Sequence, residues 1–101
     1  MSVRPWYRED WAFIITVLQV GQENDPTKCR LGLEVGDSFH CTYGTPAHFC
    51  PTTFLKIFPA MEAIRSGGDL RNLGGTGPHE TVVKCPAGVV KFRLRGQRVA
   101  E

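Results

Sequence analysis

No stretch of this chain is long and apolar enough to span a bilayer. The longest candidate, Trp11 to Val20, is interrupted by Thr16 and Gln19, and a spanning helix needs about 20 predominantly apolar residues. No secretory signal is visible either. The chain opens Met1-Ser2-Val3-Arg4-Pro5-Trp6, without an apolar stretch behind the charge, so a cytoplasmic location is expected. Charge of one sign is scarce. The formal net charge is +2, too mild to hold a nucleic-acid backbone by electrostatics. Neither nucleic acid nor a membrane is therefore an expected partner. Cys-x-x-Cys pairs are absent, which removes the standard zinc knuckles. No Gly-Lys-Ser/Thr follows the glycines, and the glycine-rich stretch follows a helical pattern and precedes a strand. That order removes the phosphate-cradling reading of such a loop.

What is present fits one small domain. The chain has 101 residues, 42% apolar and 22% charged, close to ordinary globular values. Folding at this size buries roughly 60–65% of the extended chain's surface. That supports a small core and no deep enclosed cavity unless subunits share one. Residues 1–10 carry Trp6 and Tyr7 and read as an aromatic arm packed on the domain or on a neighbouring subunit. Residues 11–96 form the domain, and 97–101 a polar tail.

Residues 11–20 are β-branched and aromatic, and predict a strand. Both of its faces are largely apolar, which predicts a central strand covered on both sides. Residues 21–33 are a loop, with Gly21, Asn24, Asp25 and Pro26 as its turn residues. Within it Cys29 lies between Lys28 and Arg30. Residues 34–43 predict a turn and a second strand. Its alternation puts Phe39, Cys41 and Tyr43 on one face and Ser38, His40 and Thr42 on the other. Residues 51–65 predict a helix whose apolar stripe is Phe54, Ile57, Phe58, Met61 and Ile64. Pro59 predicts a kink or break within it, and Gly67-Gly68 a left-handed cap after it. Residues 66–78 hold five glycines and read as a shaped surface loop for a ligand or a second subunit. Residues 79–84 and 89–95 predict a hairpin turning at Cys85-Pro86-Ala87-Gly88. In it Val90, Phe92 and Leu94 face inward, and Lys91, Arg93 and Arg95 face water.

The segment Thr45 to Phe58 concentrates the chemistry. Cys50 precedes Pro51, and proline favours the first helical position because its missing N–H is not needed there. Cys50 thus falls at the N-cap, facing unpaired N–H groups and the positive end of the helix dipole. That environment lowers a thiol pKa and makes the sulfur nucleophilic or metal-seeking.

Several segments together resemble a known family. They are Ile14-Ile15-Thr16-Val17, Cys29, Glu34 to Phe39, Thr45-Pro46, Phe49-Cys50-Pro51, Leu55 to Pro59, Arg65-Ser66-Gly67-Gly68, Lys84-Cys85-Pro86 and Val89 to Leu94. With these the chain is similar, over roughly residues 12–95, to the small and largely uncharacterised prokaryotic TIGR-zero-four-zero-seven-six proteins. The resemblance implies that Cys29, Cys50 and Cys85 form a set from which Cys41 is excluded. It implies no activity. Where that family often has a Pro-Trp segment after the helix, this chain has Asp69 to Gly75 instead.

Three functions stay open on the residues alone. In the first, a small enzyme without an organic cofactor (isomerase, lyase or hydrolase) acts on a small organic metabolite. Cys50 is then its reactive group, with His48 or His79 as proton-transfer partner. Asp37, Arg71, Asn72 and Glu80 would bind the substrate. In the second, the domain binds a ligand or a partner without catalysis, and the cysteines are core filling. In the third, Cys29, Cys50, Cys85 and a histidine hold zinc or iron. The expected fold is α+β: a small antiparallel sheet, with scope to curl toward a barrel, packed against one kinked helix. A homo-oligomer is expected.

Overall fold

Two long strands set the frame. In the computed structural model, which describes residues 9–99, β1 (Trp11–Val20) pairs antiparallel with β4 (Val90–Arg98). On the outer side of β1 lies the short β2 (Ser38–Cys41), and on the outer side of β4 lies β3 (Glu80–Lys84). The order is β2-β1-β4-β3, every pair antiparallel. The architecture is therefore α+β, with an open four-stranded sheet that does not close into a barrel. One helix, α1 (Pro51–Arg65), packs on it. The expected arm rests on Trp6 and Tyr7, which lie outside the described residues.

The inner face of the sheet follows from alternation with one correction. Phe13, Ile15 and Val17 point into the core, and so do Val90, Phe92 and Leu94. Strict alternation would put Gln19 inside next. A register shift between Val17 and Gln19 inserts one extra residue, and a bulge of that kind reverses which side chains face inward. Gln19 turns out to donate to the Gly21 carbonyl at 2.8 Å, and Val20 takes the core position. β4 runs to Arg98, because Gly96, Gln97 and Arg98 pair with Phe13, Ala12 and Trp11. The polarity of its last two residues, Gln97 and Arg98, predicts the start of a polar tail instead. The expectation that β1 is covered on both sides is also revised. The buried face of α1 lies against one face, whereas Ala12, Ile14, Thr16 and Leu18 on the other stay half-buried among the described residues.

α1 holds to the sheet by Thr53, Ile57, Met61 and Ile64, each with 0% exposure. Spacings of four, four and three residues keep them on one helical face. Thr53 heads this stripe where the sequence pointed to Phe54. Phe54 and Phe58 sit beside the stripe instead, with ring centroids 5.9 Å apart, and Phe54 lies 6.4 Å from Phe49. The helix is also unbroken at Pro59. Pro59 and Leu55 lie on the exposed side, where water can take the Leu55 carbonyl that Pro59, having no N–H, leaves without a helical donor.

Both ends of α1 are fixed by backbone geometry. At the C-terminus Gly67 has φ +85°, its N–H donates to the Ile64 carbonyl at 3.0 Å, and Gly68 N–H donates to the Ala63 carbonyl at 2.8 Å. This is the Schellman arrangement, which favours glycine at the left-handed position. Arg65 secures the same end. It pairs with Glu9 at 3.4 Å and with Glu62, donates to the Thr42 carbonyl, and stacks over Phe13 and Tyr43 at 5.0 Å. Gly96 eases the close contact of helix and sheet there, since a Cβ would lie 3.2 Å from Ile64 Cδ1 and 3.3 Å from Phe13 Cε1 and press on both side chains.

The contrast between two helix positions tests this packing. Ile57→Ala should lower the unfolding free energy by about 2–5 kcal/mol, as for a large aliphatic side chain lost from a core. Leu55→Ala, 74% exposed, should change it by no more than about 0.5 kcal/mol. Urea titration followed by circular dichroism measures both.

Candidate functional site

Three segments far apart in sequence end at the same place. The loop after β1 makes one turn of 3-10 helix (Pro26–Lys28), and Cys29 follows it. The loop after β2 delivers Cys50 to the start of α1. The tight turn from β3 to β4 begins at Cys85. All three cysteines line one cleft of about 370 Å³. Its wall is apolar, formed by Leu31, Leu33, Val89, Val90 and Phe92, and Lys28 and Arg30 supply the cations of its lining. All four cysteines of the chain are free thiols. The fourth, Cys41, does not line this cleft but faces the core from β2. Burial pushes its thiol up, an effect that nearby Arg65 only partly offsets.

Cys50 is the N-cap of α1, and Pro51 occupies the first helical position as the sequence predicts. Its sulfur lies 3.0 Å from the Thr52 hydroxyl. Burial raises its pKa. The Thr52 hydroxyl, the Thr53 N–H, the Thr53 hydroxyl and the Thr52 N–H outweigh that effect and bring Cys50 down to about 7. Cys50 is therefore more readily ionised at neutral pH than a free cysteine. The Thr53 hydroxyl influences the sulfur, yet completes no hydrogen bond among the described residues although it is fully buried in the cleft wall.

Cys85 has a different support. Its sulfur accepts the Val90 N–H at 3.3 Å. Burial pushes this thiol up, but the N–H groups of Val90, Val89, Ala87 and Gly88 prevail and hold it below its ordinary value. A turn that aims several amides at one sulfur favours the anion. The turn itself is closed by Gly88 N–H on the Cys85 carbonyl at 2.8 Å and Cys85 N–H on the Val90 carbonyl at 2.9 Å. Lys56, on the second turn of α1, donates to the Lys84 carbonyl at 2.7 Å. That bond ties the helix carrying Cys50 to the strand end carrying Cys85.

The other residues singled out by the sequence do not line this cleft. His48 is exposed in the preceding loop, with φ +59°. His79 packs edge-on against Trp11 at 4.6 Å, toward the other end of the long strands. Asp37 accepts the Glu34 N–H at 2.8 Å and closes the turn before β2. Glu80 accepts from Thr76 at 2.8 Å and from Arg95 at 2.9 and 3.0 Å, and these partners hold its carboxyl below the usual range. Arg71 pairs with Asp69 at 2.6 Å and brings that carboxyl down to about 2. Asn72 is exposed, and its N–H donates to the Asp69 carbonyl at 3.1 Å. The glycine-rich loop is thus folded on itself, with Leu70 buried under it and Gly75 N–H on the Leu70 carbonyl at 2.8 Å.

Sequence reasoning passed over Thr52, Thr53 and the apolar wall. Two threonines directly after an N-cap cysteine and a proline were the available signal, since first-turn hydroxyls reach the cap. Among the described residues no group of three or more His, Cys, Asp and Glu side chains is arranged to hold a metal ion. No helix among them is long and apolar enough to cross a membrane. No family model, curated protein or solved structure matches the chain.

The Cys50 assignment is measurable. Alkylation of Cys50 followed by mass spectrometry across a pH series should show a midpoint of about 7. Thr52→Val should move that midpoint upward, toward the roughly 8.5 of a free thiol. Because the folded value lies below the unfolded one, ionisation stabilises the fold. That gain is complete above the unfolded value and is lost as pH falls through about 7. Cys50→Ser should remove this part of the pH dependence of urea unfolding.

Proposed function

We propose that the cleft is a thiol site for a small organic metabolite, with Cys50 as the reactive group. The observation that carries this reading is the convergence of Cys29, Cys50 and Cys85 on one apolar cleft at the N-terminus of α1. The sulfur of Cys50 has the Thr52 hydroxyl at 3.0 Å and stands at the N-terminus of α1. It can attack an electrophilic carbon without a neighbouring histidine, which suits covalent catalysis of isomerase, lyase or hydrolase type. Lys28 and Arg30 give the cleft its charge preference. They favour a substrate with an anionic group, such as a small organic acid, whose apolar part rests on Leu33 and Phe92. A partly ionised thiol in such a cleft also suits a reducing compartment such as the cytoplasm.

The positions of the histidines favour a second reading. His48 and His79 are not among the cleft residues, and among the described residues the Cys50 sulfur has the Thr52 hydroxyl, not an imidazole, as its side-chain partner. The cleft would then bind its organic acid through Lys28 and Arg30 without turning it over. Turnover separates the two readings, whereas the ligand class is common to both.

Iodoacetate and iodoacetamide test that shared part, since they differ mainly in charge. The rate ratio of iodoacetate to iodoacetamide at Cys50 should exceed that of a free cysteine by about tenfold, the low end of focusing by a cleft of one sign. Replacing both cations, Lys28→Ala with Arg30→Ala, should return the ratio to that of free cysteine. An unchanged ratio in the double variant would remove the organic-acid preference.

A further inference from the structure

The cleft holds more sulfur than a single nucleophile needs. We infer that Cys50 and Cys85 act as a dithiol that reduces hydroperoxides, Cys50 taking the oxygen and Cys85 resolving it as a disulfide. The inference rests on the reading of Cys50 as the reactive group of the cleft, and it adds a role for Cys85 and a class of substrate.

Three observations carry it. Cys50 and Cys85 line the same cleft. The Lys56 bond to the Lys84 carbonyl holds the residue next to Cys85 against the helix that starts after Cys50. No bond of that kind attaches Cys29 to α1 among the described residues, so Cys85 is the partner assigned. Third, the Thr53 hydroxyl, three residues after Cys50, is buried in the cleft wall and has no hydrogen-bond partner among the described residues. A buried hydroxyl without a partner is costly. An oxygen atom carried on the Cys50 sulfur gives it an acceptor, and places that oxygen at the positive end of α1.

The chemistry balances without a metal or an organic cofactor. The Cys50 thiolate attacks the terminal oxygen of a hydroperoxide, so an S–O bond forms and the O–O bond breaks. The leaving alkoxide takes a proton from water and departs as the alcohol. Cys50 is now a sulfenic acid, oxidised by two electrons. The Cys85 thiolate attacks the Cys50 sulfur, the S–S bond forms, and hydroxide leaves and is protonated to water. Two equivalents of an external monothiol return both cysteines to thiols and leave as their own disulfide. Closing the S–S bond requires Cα atoms within about 4.4–6.8 Å. Pro86, Ala87 and Gly88 of the Cys85 turn are exposed, so the turn can adjust there.

The experiment treats the fully reduced chain with one equivalent of tert-butyl hydroperoxide, quenches with N-ethylmaleimide and maps disulfides by peptide mass spectrometry. The expected product is one Cys50–Cys85 disulfide per chain, formed at least about tenfold faster than Cys41 is oxidised, as suits a thiolate beside a buried thiol. Cys85→Ser should leave Cys50 as a sulfenic acid trapped by dimedone. Cys41→Ser should leave the rate and the product unchanged, and circular dichroism checks that each variant is folded. A product linking Cys50 to Cys29 or to a second chain overturns the proposal, as does oxidation of Cys50 no faster than of Cys41. Rapid alkylation by iodoacetate with slow oxidation removes the dithiol role and leaves Cys50 as the reactive group. Inertness to both reagents removes that reading as well.

Discussion

The burial of one helical face on one sheet face governs where everything else lies. Thr53, Ile57, Met61 and Ile64 must leave water together, and the partner surface is the row of Phe13, Ile15, Val17, Phe92 and Leu94. Each fully buried aliphatic side chain contributes about 1.5–3 kcal/mol from desolvation. Once that face is matched, the two ends of α1 have fixed destinations. The C-terminal end meets Gly96, where the absence of a side chain allows close approach, and is locked by the Gly67 cap and Arg65. The N-terminal end is set beside Val90, Phe92 and the Cys85 turn, where Lys56 anchors it.

The cleft is a by-product of that geometry. A single helix does not extend over the end of the sheet where the Pro26–Arg30 loop and the Cys85 turn meet. What remains is a recess with an apolar floor and a helix N-terminus on one side. Two thiols are stabilised there as anions by different means. Hydroxyls and amides of the first helical turn act on Cys50, and the amides of a tight turn act on Cys85. Cys41, outside the recess, is pushed the other way by burial.

Much of the fold was legible because it depends on local rules. β1 and α1 have the ends that composition and capping predict, from Trp11 to Val20 and from Pro51 to Arg65. The inward set of β4 followed from alternation. The misreadings have local causes too. Gln19 and Val20 exchange roles through a bulge that period-two counting cannot detect. Thr53 was passed over because a hydroxyl was not counted as a stripe residue, while Phe54 and Phe58 were counted although a rotation of about 100° per residue carries them to its edge. Pro59 reads as a break only when its solvent-facing position is unknown.

The sequence by itself determined the long elements β1 and α1, the inward face of β4 and the N-cap position of Cys50, since each rests on residues within a few positions of one another. Tertiary structure alone decided which thiols share a cleft, because Cys29, Cys50 and Cys85 are brought together by pairings between β1 and β4 and by helix docking, which no spacing encodes. It also decided that Asp37, Arg71 and Glu80 serve turns and ion pairs, since a charged side chain takes the partner that folding places beside it.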